Sequence, residues 1–303
     1  LTNLVYYAII TSEVIKMSDI REKLITIFED TLNWLAQNPE LKQATENSIK
    51  HTKLYLEQET PKIPESQENF QTRIHVSKLK SFEMAMQLHK QYPNAKIAVH
   101  NFASATNAGG GVTHGSRAQE ESLCRCSNLY PCLNQDWLKQ EFYLFHRLKK
   151  DLRYTNACIY SPDILIIKTD DNFPERMPES DWCKVDILTC AAPNLRIKPY
   201  NRMNPGKGLE PLKLTDRELL KLHISRARHM FSIALANHIQ VLVLGAFGCG
   251  AFCNNPFIVA QAYRQVLQEP EFKNKFQHIE FAIYHTPREQ NNYTTFQRVF
   301  EFQ

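Results

Sequence analysis

The sequence predicts an α/β domain in which a mostly parallel or mixed sheet lies between layers of helices. Two observations lead to this fold class: short apolar segments recur along the chain, and segments with apolar residues at three- and four-residue spacing separate them. Strands are predicted at residues 72–77, 96–102, 164–168, 185–190, 241–244 and 279–284. Helices are predicted at residues 19–38, 40–58, 81–92, 117–129, 136–150, 215–237 and 256–268.

The composition is that of a globular protein with a sizeable core, since 43% of the 303 residues are apolar. The formal charge of +4 is too small to predict a nucleic acid or a membrane surface as a partner. No apolar run is long enough to cross a membrane. The eight cysteines are scattered, so they do not resemble a disulfide framework and favour a reducing, cytoplasmic compartment.

The amino-terminal part predicts a helical segment attached to the main domain. Asp19 and Glu22 form a plausible capping pair at the start of the first helix. Residues 1–16 precede this pair and Met17, lack a basic stretch typical of a signal peptide, and are interpreted as an extension. We expect a helical accessory segment at residues 17–68 and the main domain at residues 69–303.

Two later helices carry more specific expectations. Thr215 followed by Glu218 predicts a capping box at the start of a long helix. The helix at residues 136–150 is expected to bear its apolar residues on one side. These residues are Trp137, Phe142, Phe145 and Leu148.

The stretch at residues 96–129 combines an apolar strand, three consecutive glycines at 109–111 and a polar helix start. Glycine backbone can approach a ligand closely because it lacks Cβ and adopts positive φ. Glu120 and Glu121 fall in the first turn of the following helix, where the helix dipole favours acidic residues in any protein. From these residues alone, a structural role and a catalytic role for the two carboxylates are equally open.

A second glycine-rich loop, at residues 245–255, follows a buried strand and opens a helix. This geometry favours the binding of a phosphate by backbone N–H groups, although a turn without a ligand is the alternative. The loop matches neither a dinucleotide fingerprint nor a P-loop. Because ligands of such folds lie beyond the carboxyl ends of the strands, both glycine-rich loops are expected at one site.

Three cysteines near a histidine raise the question of a metal site. Cys124, Cys126 and Cys132 lie close to His114 in the sequence, but their spacing lacks the paired ligands of structural zinc sites. We interpret them as core or helix-surface cysteines and predict no metal.

Three segments carry a resemblance to a known family. The string Gly-Gly-Gly, seven residues, Gln-Glu-Glu at residues 109–121 resembles the signature of the poly(ADP-ribose) glycohydrolases, and its flanks are similar to the bacterial, or microbial, branch. The segment at 185–194, which ends in Ala-Ala-Pro-Asn, and the loop at 245–255 resemble that family too. The resemblance runs from about residue 22 to 284 and implies a macrodomain-like, three-layer α/β/α fold with a central mixed sheet and an N-terminal helical accessory segment.

The resemblance also implies roles for individual residues. Glu121 would be the catalytic acid, while Glu120 and Gln119 would position the substrate. Asn101 would contact ribose hydroxyls, although an asparagine that bonds loop backbone is the alternative. Further substrate contacts are implied for Gly109, Gly110, Gly111, Val112, Gly248, Cys249, Gly250, Ala251 and Phe252.

The chain departs from the family pattern at three positions. Relatives carry Asn in some cases where Ser104 stands, often Gly where Cys253 stands, and often a second Pro where Phe257 stands. Asn107, between the first strand and the glycines, is interpreted as a turn residue.

The implied activity is a metal-independent and cofactor-independent glycosidase that releases ADP-ribose from poly(ADP-ribose) through an oxocarbenium-like transition state. Two other functions stay open: a hydrolase of single ADP-ribose groups on protein or nucleic acid, and a non-catalytic ADP-ribose reader. We expect a monomer without a membrane partner.

Overall fold

The computed structural model describes residues 2–64, 68–200, 210–286 and 289–301, with side chains from residue 18 onward. Its centre is a mixed seven-stranded sheet in the order β1-β4-β5-β3-β6-β7-β2. The strands are β1 (Lys53–Tyr55), β2 (Arg73–Ser77), β3 (Ile97–Phe102), β4 (Cys158–Ile166), β5 (Cys183–Cys190), β6 (Val241–Leu244) and β7 (His278–Ala282). The five strands from β5 to β2 are parallel, whereas β4 and β1 are antiparallel to their neighbours, so the predicted mixed sheet is confirmed.

Helices cover both faces of this sheet. They are α1 (Thr2–Gln37), α2 (Pro39–His51), α3 (Ser81–Gln91), α4 (Gln119–Cys126), α5 (Leu129–Leu133), α6 (Asp136–Leu138), α7 (Phe145–Lys149), α8 (Asp216–Ala236), α9 (Pro256–Leu267) and α10 (Asn291–Phe300). A π-helical stretch, Lys139–Leu144, joins α6 to α7. Among the helices of the described residues, none combines the length and apolarity needed to cross a bilayer.

The core is divided by the sheet into two apolar clusters. Ala98 of β3 packs in the cluster on the side of α8, α9 and α10, whereas Ile97 and Val99 pack in the cluster on the side of α3, α4 and α5. Adjacent residues of a strand point to opposite faces, so β3 contributes side chains to both apolar clusters. Strands buried on both faces read as continuous apolar runs, which is why β3 and β6 were predictable. The expected three-layer architecture is confirmed.

Parallel pairing brings three strand ends together. In β3, Asn101 pairs with Thr189 of β5 and Phe102 pairs with Cys190, while Val99 pairs with Val243 of β6. The segments that follow β3, β5 and β6 therefore leave the sheet side by side. This edge is the place at which the sequence predicts the site.

The amino-terminal helices are fastened to the layer that carries α4. Thr31 of α1 donates a hydrogen bond to the Arg125 carbonyl over 2.7 Å. The buried Lys168 donates to the Ile27 carbonyl over 2.8 Å and forms an ion pair of 2.7 Å with Asp30. The accessory helices thus support α4 from outside. The proposed division at residues 16 and 68 stays a prediction.

The predicted start of the first helix is wrong. α1 spans Thr2–Gln37, so Asp19 and Glu22 lie inside it and do not cap its first turn. No glycine or proline occurs in this span, and nothing local stops the helix before the pair. Its predicted end near residue 38 is confirmed, since α1 ends at Gln37. The next residue, Asn38, caps α2 by accepting a hydrogen bond from the Leu41 amide over 3.0 Å.

The second helix is shorter than predicted. Residues 40–58 were expected to be helical, but Thr52 adopts an extended backbone and ends α2. The next residues form β1, in which Leu54 pairs with Ile159 of β4. Pairing with a distant strand overrides the local helical pattern here. α10 was not predicted, whereas the capping box of Thr215 and Glu218 is confirmed by a hydrogen bond of 3.3 Å from the Glu218 amide to the Thr215 hydroxyl.

The predicted apolar side of the helix at 136–150 is wrong. Only Phe142 of the four expected residues is buried. The π-helical stretch adds a residue to one turn and rotates the following residues relative to an α-helix. The buried side comprises Leu138, Phe142, Tyr143 and His146, and the exposed side carries Trp137, Phe145 and Leu148.

Candidate active site

The segments that follow three neighbouring strands meet in one small apolar cluster. Ala105 of the first loop (residues 103–118), Ala191 after β5 and Tyr154 are buried together, and Phe252 of the second loop (residues 245–255) packs against them. The two loops therefore lie at one site, as the sequence predicts.

Glu120 is buried at the start of α4, close to the end of β3. One carboxylate oxygen accepts a hydrogen bond of 2.7 Å from the Ser104 amide, and the other accepts one of 3.4 Å from the Asn101 side chain. Burial raises the pKa of Glu120 well above its ordinary value, and the charge of Glu121 raises it further. A state in which both carboxyl groups are charged is therefore unfavourable.

Glu121 is also buried, and its two oxygens have different surroundings. Oε1 accepts a hydrogen bond of 2.8 Å from the Gly111 amide. Oε2 is buried and has no hydrogen-bond partner in the part of the chain that the structure describes. A buried carboxylate oxygen without a partner is costly for folding, which favours a functional role over that of an ordinary first-turn residue.

The glycines of the first loop leave no room for side chains. Gly109 and Gly110 have φ of 64° and 58°. A Cβ on Gly110 would lie 2.5 Å from Glu121 Oε1 and 3.1 Å from Glu120 Oε2, so both carboxyl groups contact this one glycine. Gly111 is likewise backed by the Ser116 side chain. The loop backbone is pressed against the carboxyl groups because it has no Cβ.

Val112 does not fit the predicted role in substrate contact. Its side chain is fully buried in the core, and its amide donates to the Gly109 carbonyl over 3.1 Å. Apolar burial explains its position directly after the glycines.

The Gln119 side chain is fully engaged in hydrogen bonds within the protein. Its Oε1 accepts from the Phe102 amide over 2.9 Å, and its Nε2 donates to the His100 carbonyl over 2.7 Å and to the Ser81 hydroxyl over 3.0 Å. The side chain fastens the first turn of α4 to the end of β3. This contact orients the two glutamates that follow it.

The Asn101 side chain bonds other side chains. The alternative role, an asparagine that bonds loop backbone, is therefore wrong. The Asn101 Nδ2 donates to Glu120 and, over 3.2 Å, to the Thr189 hydroxyl. Its Oδ1 is buried without a partner among the described residues. Thr189 was missed by the sequence analysis, although a lone hydroxyl in an apolar strand was a usable signal. Asn107 is confirmed as a turn residue, since its carbonyl accepts from the Gly110 amide over 3.0 Å.

The second loop is open where the first is closed. Gly250, Ala251 and Cys253 are exposed, and a Cβ on Gly250 would meet nothing within 4 Å. The amides of Gly250, Ala251 and Phe252 have no acceptor within the described ranges. The Cys249 amide, in contrast, donates to the Ala246 carbonyl over 3.0 Å and is not available to a ligand. Unpaired amides just before a helix suit a phosphate group.

Comparisons with known proteins agree with this geometry. A family model described as microbial-type PARG, catalytic domain, matches residues 29–169. Poly(ADP-ribose) glycohydrolase from Deinococcus radiodurans, solved in complex with ADP-ribose, is 30% identical with a TM-score of 0.71, over 85% of this chain and 97% of that chain. The chain belongs to the microbial-type poly(ADP-ribose) glycohydrolase family.

Other solved members of this family extend the match. Poly(ADP-ribose) glycohydrolase from Thermomonospora curvata is 28% identical with a TM-score of 0.79, over 92% of this chain and 100% of that chain. The same enzyme bound to the inhibitor ADP-HPD has a TM-score of 0.77 over the same shares. None of the curated proteins compared with the chain matches it. The fold is therefore macrodomain-like, and this glycohydrolase family is one of glycosidases.

Asn254 holds the second loop of this glycohydrolase but was missed by the sequence analysis. Its buried Nδ2 donates to the carbonyls of Pro193 over 2.7 Å and Gly248 over 3.1 Å. Its Oδ1 accepts from His223 Nε2 over 2.8 Å. Burial lowers the pKa of His223 to about 3, so this histidine is neutral. The only signal was Asn-Asn-Pro before a helix, and it suggests a cap, which is the role of Asn255.

Phe252 and Cys253 lie where the second loop turns into α9. The Phe252 ring centroid lies 6.3 Å from that of Tyr154 and 5.5 Å from the Arg196 guanidinium. Cys253 has a φ of 58°. Glycine adopts this left-handed backbone without strain, which fits the expectation of a glycine at this position in relatives. Phe257 is exposed in the first turn of α9.

The cysteines near the first loop are core residues, as predicted. Cys124, Cys126 and Cys132 are fully buried, and burial raises the pKa of each thiol. His114 is exposed on a short 3₁₀ helix, Val112–His114. Within the described residues, no group of three or more His, Cys, Asp and Glu side chains is arranged to hold a metal ion.

Proposed function

We propose that this chain hydrolyses the ribose–ribose O-glycosidic bond of poly(ADP-ribose) and releases ADP-ribose. The observation that carries the proposal is the state of Glu121. One carboxylate oxygen is fixed by the Gly111 amide, and the other is buried at the edge of a glycine-lined site, without a partner among the described residues. Membership of the glycohydrolase family supports this assignment.

In the proposed reaction, Glu121 is the general acid and then the general base. It donates a proton to the departing ribose oxygen as an oxocarbenium-like centre develops at the anomeric carbon, and then takes a proton from the attacking water. A carboxylic acid and water are sufficient for these steps, so we propose that no metal ion or cofactor takes part. Activity should accordingly survive a chelator.

Glu120 and Asn101 are proposed to hold the ribose next to the broken bond. Both have side-chain oxygens at the buried edge, and the Asn101 Oδ1 lacks a partner there among the described residues. Because burial raises the pKa of Glu120, this residue keeps its proton to higher pH than an exposed glutamate and can donate a hydrogen bond to a sugar hydroxyl.

The second loop is proposed to bind the diphosphate of ADP-ribose. The amides of Gly250, Ala251 and Phe252 have no acceptor within the described residues, and they precede the amino terminus of α9. Such amides and the helix dipole attract an anion. The half-buried Phe252 ring supplies an apolar surface for the adjoining ribose units.

The decisive test is Glu121→Gln, which keeps the size of the side chain but removes the acid. Turnover should fall by ~10²–10⁴-fold. Binding of ADP-ribose, measured by calorimetry, should be almost unchanged. Glu218→Gln is the matched control, because Glu218 holds the same third position in the first turn of α8 and is exposed. A fully active Glu121→Gln protein would contradict the mechanism.

The substrate is tested by a direct comparison of labelled poly(ADP-ribose) with a mono-ADP-ribosylated protein. Release of ADP-ribose from the polymer supports the proposal. Release only from the modified protein would make the chain a mono-ADP-ribosyl hydrolase. Binding without release from either substrate would make it a reader.

We also propose that the protein is a cytoplasmic monomer. All eight cysteines are unpaired thiols, and six of them are buried, which suits a reducing compartment. Cell fractionation and light scattering would test the two parts of this proposal separately.

A further inference from the structure

The outer side of one helical unit has no role in the proposed reaction. This unit, residues 136–149, comprises α6, the π-helical stretch and α7. Its exposed side carries Trp137, Phe145 and Leu148, which are 38%, 46% and 71% exposed. Single exposed apolar residues are common, but three on one side of a short helical unit indicate a binding surface.

Unpaired cations lie beside these apolar residues. Arg147, Lys149 and Lys150 are exposed, and none forms an ion pair with any described residue. The Lys149 ammonium lies 5.6 Å from the Phe145 ring centroid. Two nearby carboxylates are already engaged, since Asp136 pairs with a neighbouring lysine over 3.0 Å and Asp151 with a neighbouring arginine over 2.8 Å. The exposed Glu141 of the π-helical stretch forms no ion pair with any described residue.

The basic-aromatic surface, which we define as Trp137, Phe145, Arg147, Lys149 and Lys150, adjoins the candidate active site. His146, on the inner side of α7, lies 5.7 Å from the Tyr154 ring and is hydrogen-bonded to Thr155 over 2.9 Å. Tyr154 in turn packs with Phe252 of the second loop. The carboxyl end of α7 is thus two packed side chains from the proposed diphosphate loop.

We propose that the basic-aromatic surface binds ADP-ribose units of the polymer beyond the two units that flank the cleaved bond. The inference rests on the proposed function, because it assumes that the substrate is a chain. Cations that neutralise phosphates and aromatic rings on which bases stack are the two components of sites for single-stranded nucleic acids. Poly(ADP-ribose) offers both phosphates and adenine rings at every unit, which matches the cations and the aromatic rings of this surface.

Helix geometry explains part of the surface but not all of it. Cations are favoured in the last turn of any helix, which accounts for Arg147 and Lys149. It does not account for the exposed Phe145 and Trp137, nor for a third cation at Lys150, which follows the helix with φ of 51°. The combination of rings and unpaired cations favours a ligand that is both anionic and aromatic.

The test uses Arg147→Gln, Lys149→Gln and Lys150→Asn together, since Asn tolerates the left-handed backbone at position 150. Binding of size-selected long poly(ADP-ribose) is measured in the Glu121→Gln background, so that the polymer stays intact. Affinity should fall roughly tenfold or more, and the dependence of log affinity on log salt should weaken by about 2, since each phosphate contact to a single strand contributes roughly 0.7. A separate Phe145→Ala variant should lose roughly 5- to 150-fold in affinity, as expected for one stacking ring.

The matched control removes three exposed cations elsewhere, with Lys90→Gln, Lys273→Gln and Arg298→Gln. It should bind long polymer as the parent protein does. Hydrolysis of the ADP-ribose dimer, which is too short to reach past the site, should be unchanged in the surface variant that retains Glu121. The measured quantity that separates the variants is thus affinity for long chains.

Several results would overturn the inference. The first is an equal loss of polymer affinity in the surface variant and in the control. The second is a loss of dimer hydrolysis as large as the loss of polymer affinity. The third is unchanged polymer binding together with lost binding to anionic vesicles, which would assign the surface to membranes. Failure of the wild-type protein to cleave the dimer would instead remove the proposed function. Polymer binding is measured in an inactive background, so the two failures are distinguishable.

Discussion

The two glycine-rich loops lie at the same edge of the sheet, but they are built in opposite ways. In the first loop, Gly110 is pressed against the carboxyl groups of Glu120 and Glu121. In the second loop, Gly250 has open space where a side chain would be, and the amides around it have no acceptor within the described ranges.

The difference follows from what each loop is proposed to do. A proton donor must be fixed within tenths of an ångström of the bond that it protonates, so close packing around it is useful. A phosphate site needs amides that are not already bonded, which requires an open loop held only at its ends. Asn254 provides that anchor, because its side chain bonds the backbone at Gly248 and at Pro193.

The same substitution in both loops gives the largest expected contrast. Gly110→Ala would place Cβ in left-handed backbone and 2.5 Å from Glu121 Oε1, whereas Gly250→Ala would meet nothing. We expect Gly110→Ala to lose roughly 10²-fold in turnover by displacing the carboxylate, and about 1–2 kcal/mol in the free energy of unfolding. Gly250→Ala should keep its stability. Kinetic assays and denaturant unfolding measure both, and similar losses for the two variants would end the distinction between the loops.

Adjacent asparagines test the anchor of the second loop. Asn254→Ala removes side-chain hydrogen bonds to three backbone carbonyls and should cost about 1–3 kcal/mol of stability, with weaker ADP-ribose binding because the loop loses its shape. Asn255→Ala removes only the cap of α9, whose side chain accepts from the Phe257 amide over 3.0 Å, and should cost about 1 kcal/mol without a change in affinity. Calorimetry of ADP-ribose binding separates them. If both lose affinity equally, helix capping and not the anchor shapes the site.

The closed character of the first loop predicts a pH effect. The folded-state pKa of Glu120 is raised, so the native state retains a proton that the unfolded state releases above the ordinary value of 4.5. The wild-type free energy of unfolding therefore falls as pH rises from that value to the folded pKa. Glu120→Gln carries no such proton, so its stability relative to wild type should improve between about pH 5 and about pH 8.

Urea unfolding at both pH values measures the difference in free energy of unfolding between wild type and Glu120→Gln. A difference that does not change with pH would show that the pKa of Glu120 is not raised in the folded state. In the same variant, the proposed contact with ribose predicts a raised KM together with slower turnover.

The smallest expected effect is a gain in stability from a substitution in the second loop. Cys253 is exposed in left-handed backbone, so Cys253→Gly should relieve about 1 kcal/mol of strain. Turnover and affinity should be unchanged, because the side chain bonds only its own loop. Thermal unfolding of wild type and variant gives the measurement, and a destabilised glycine variant would mean that loop entropy outweighs strain at this position.

The sequence by itself determined those parts that short-range physical chemistry decides. The apolar runs of β3 and β6, the capping box of Thr215 and Glu218, and the close approach allowed by Gly109–Gly111 depend on neighbours within a few residues. The pairing of the two glycine-rich loops was also predictable, because the carboxyl ends of parallel strands share one edge.

Only the tertiary structure decided which local tendencies were overruled. β1 pairs with β4 where a helix was expected, and the π-helical stretch turns Phe145 and Leu148 outward. Thr189 and Asn254 have ordinary sequence surroundings, and they gain roles only because they meet Asn101, 88 residues away, and Pro193, 61 residues away. Contacts between distant residues fix hydrogen-bond partners and the burial that raises the pKa of Glu120, and neither of these is encoded in local spacing.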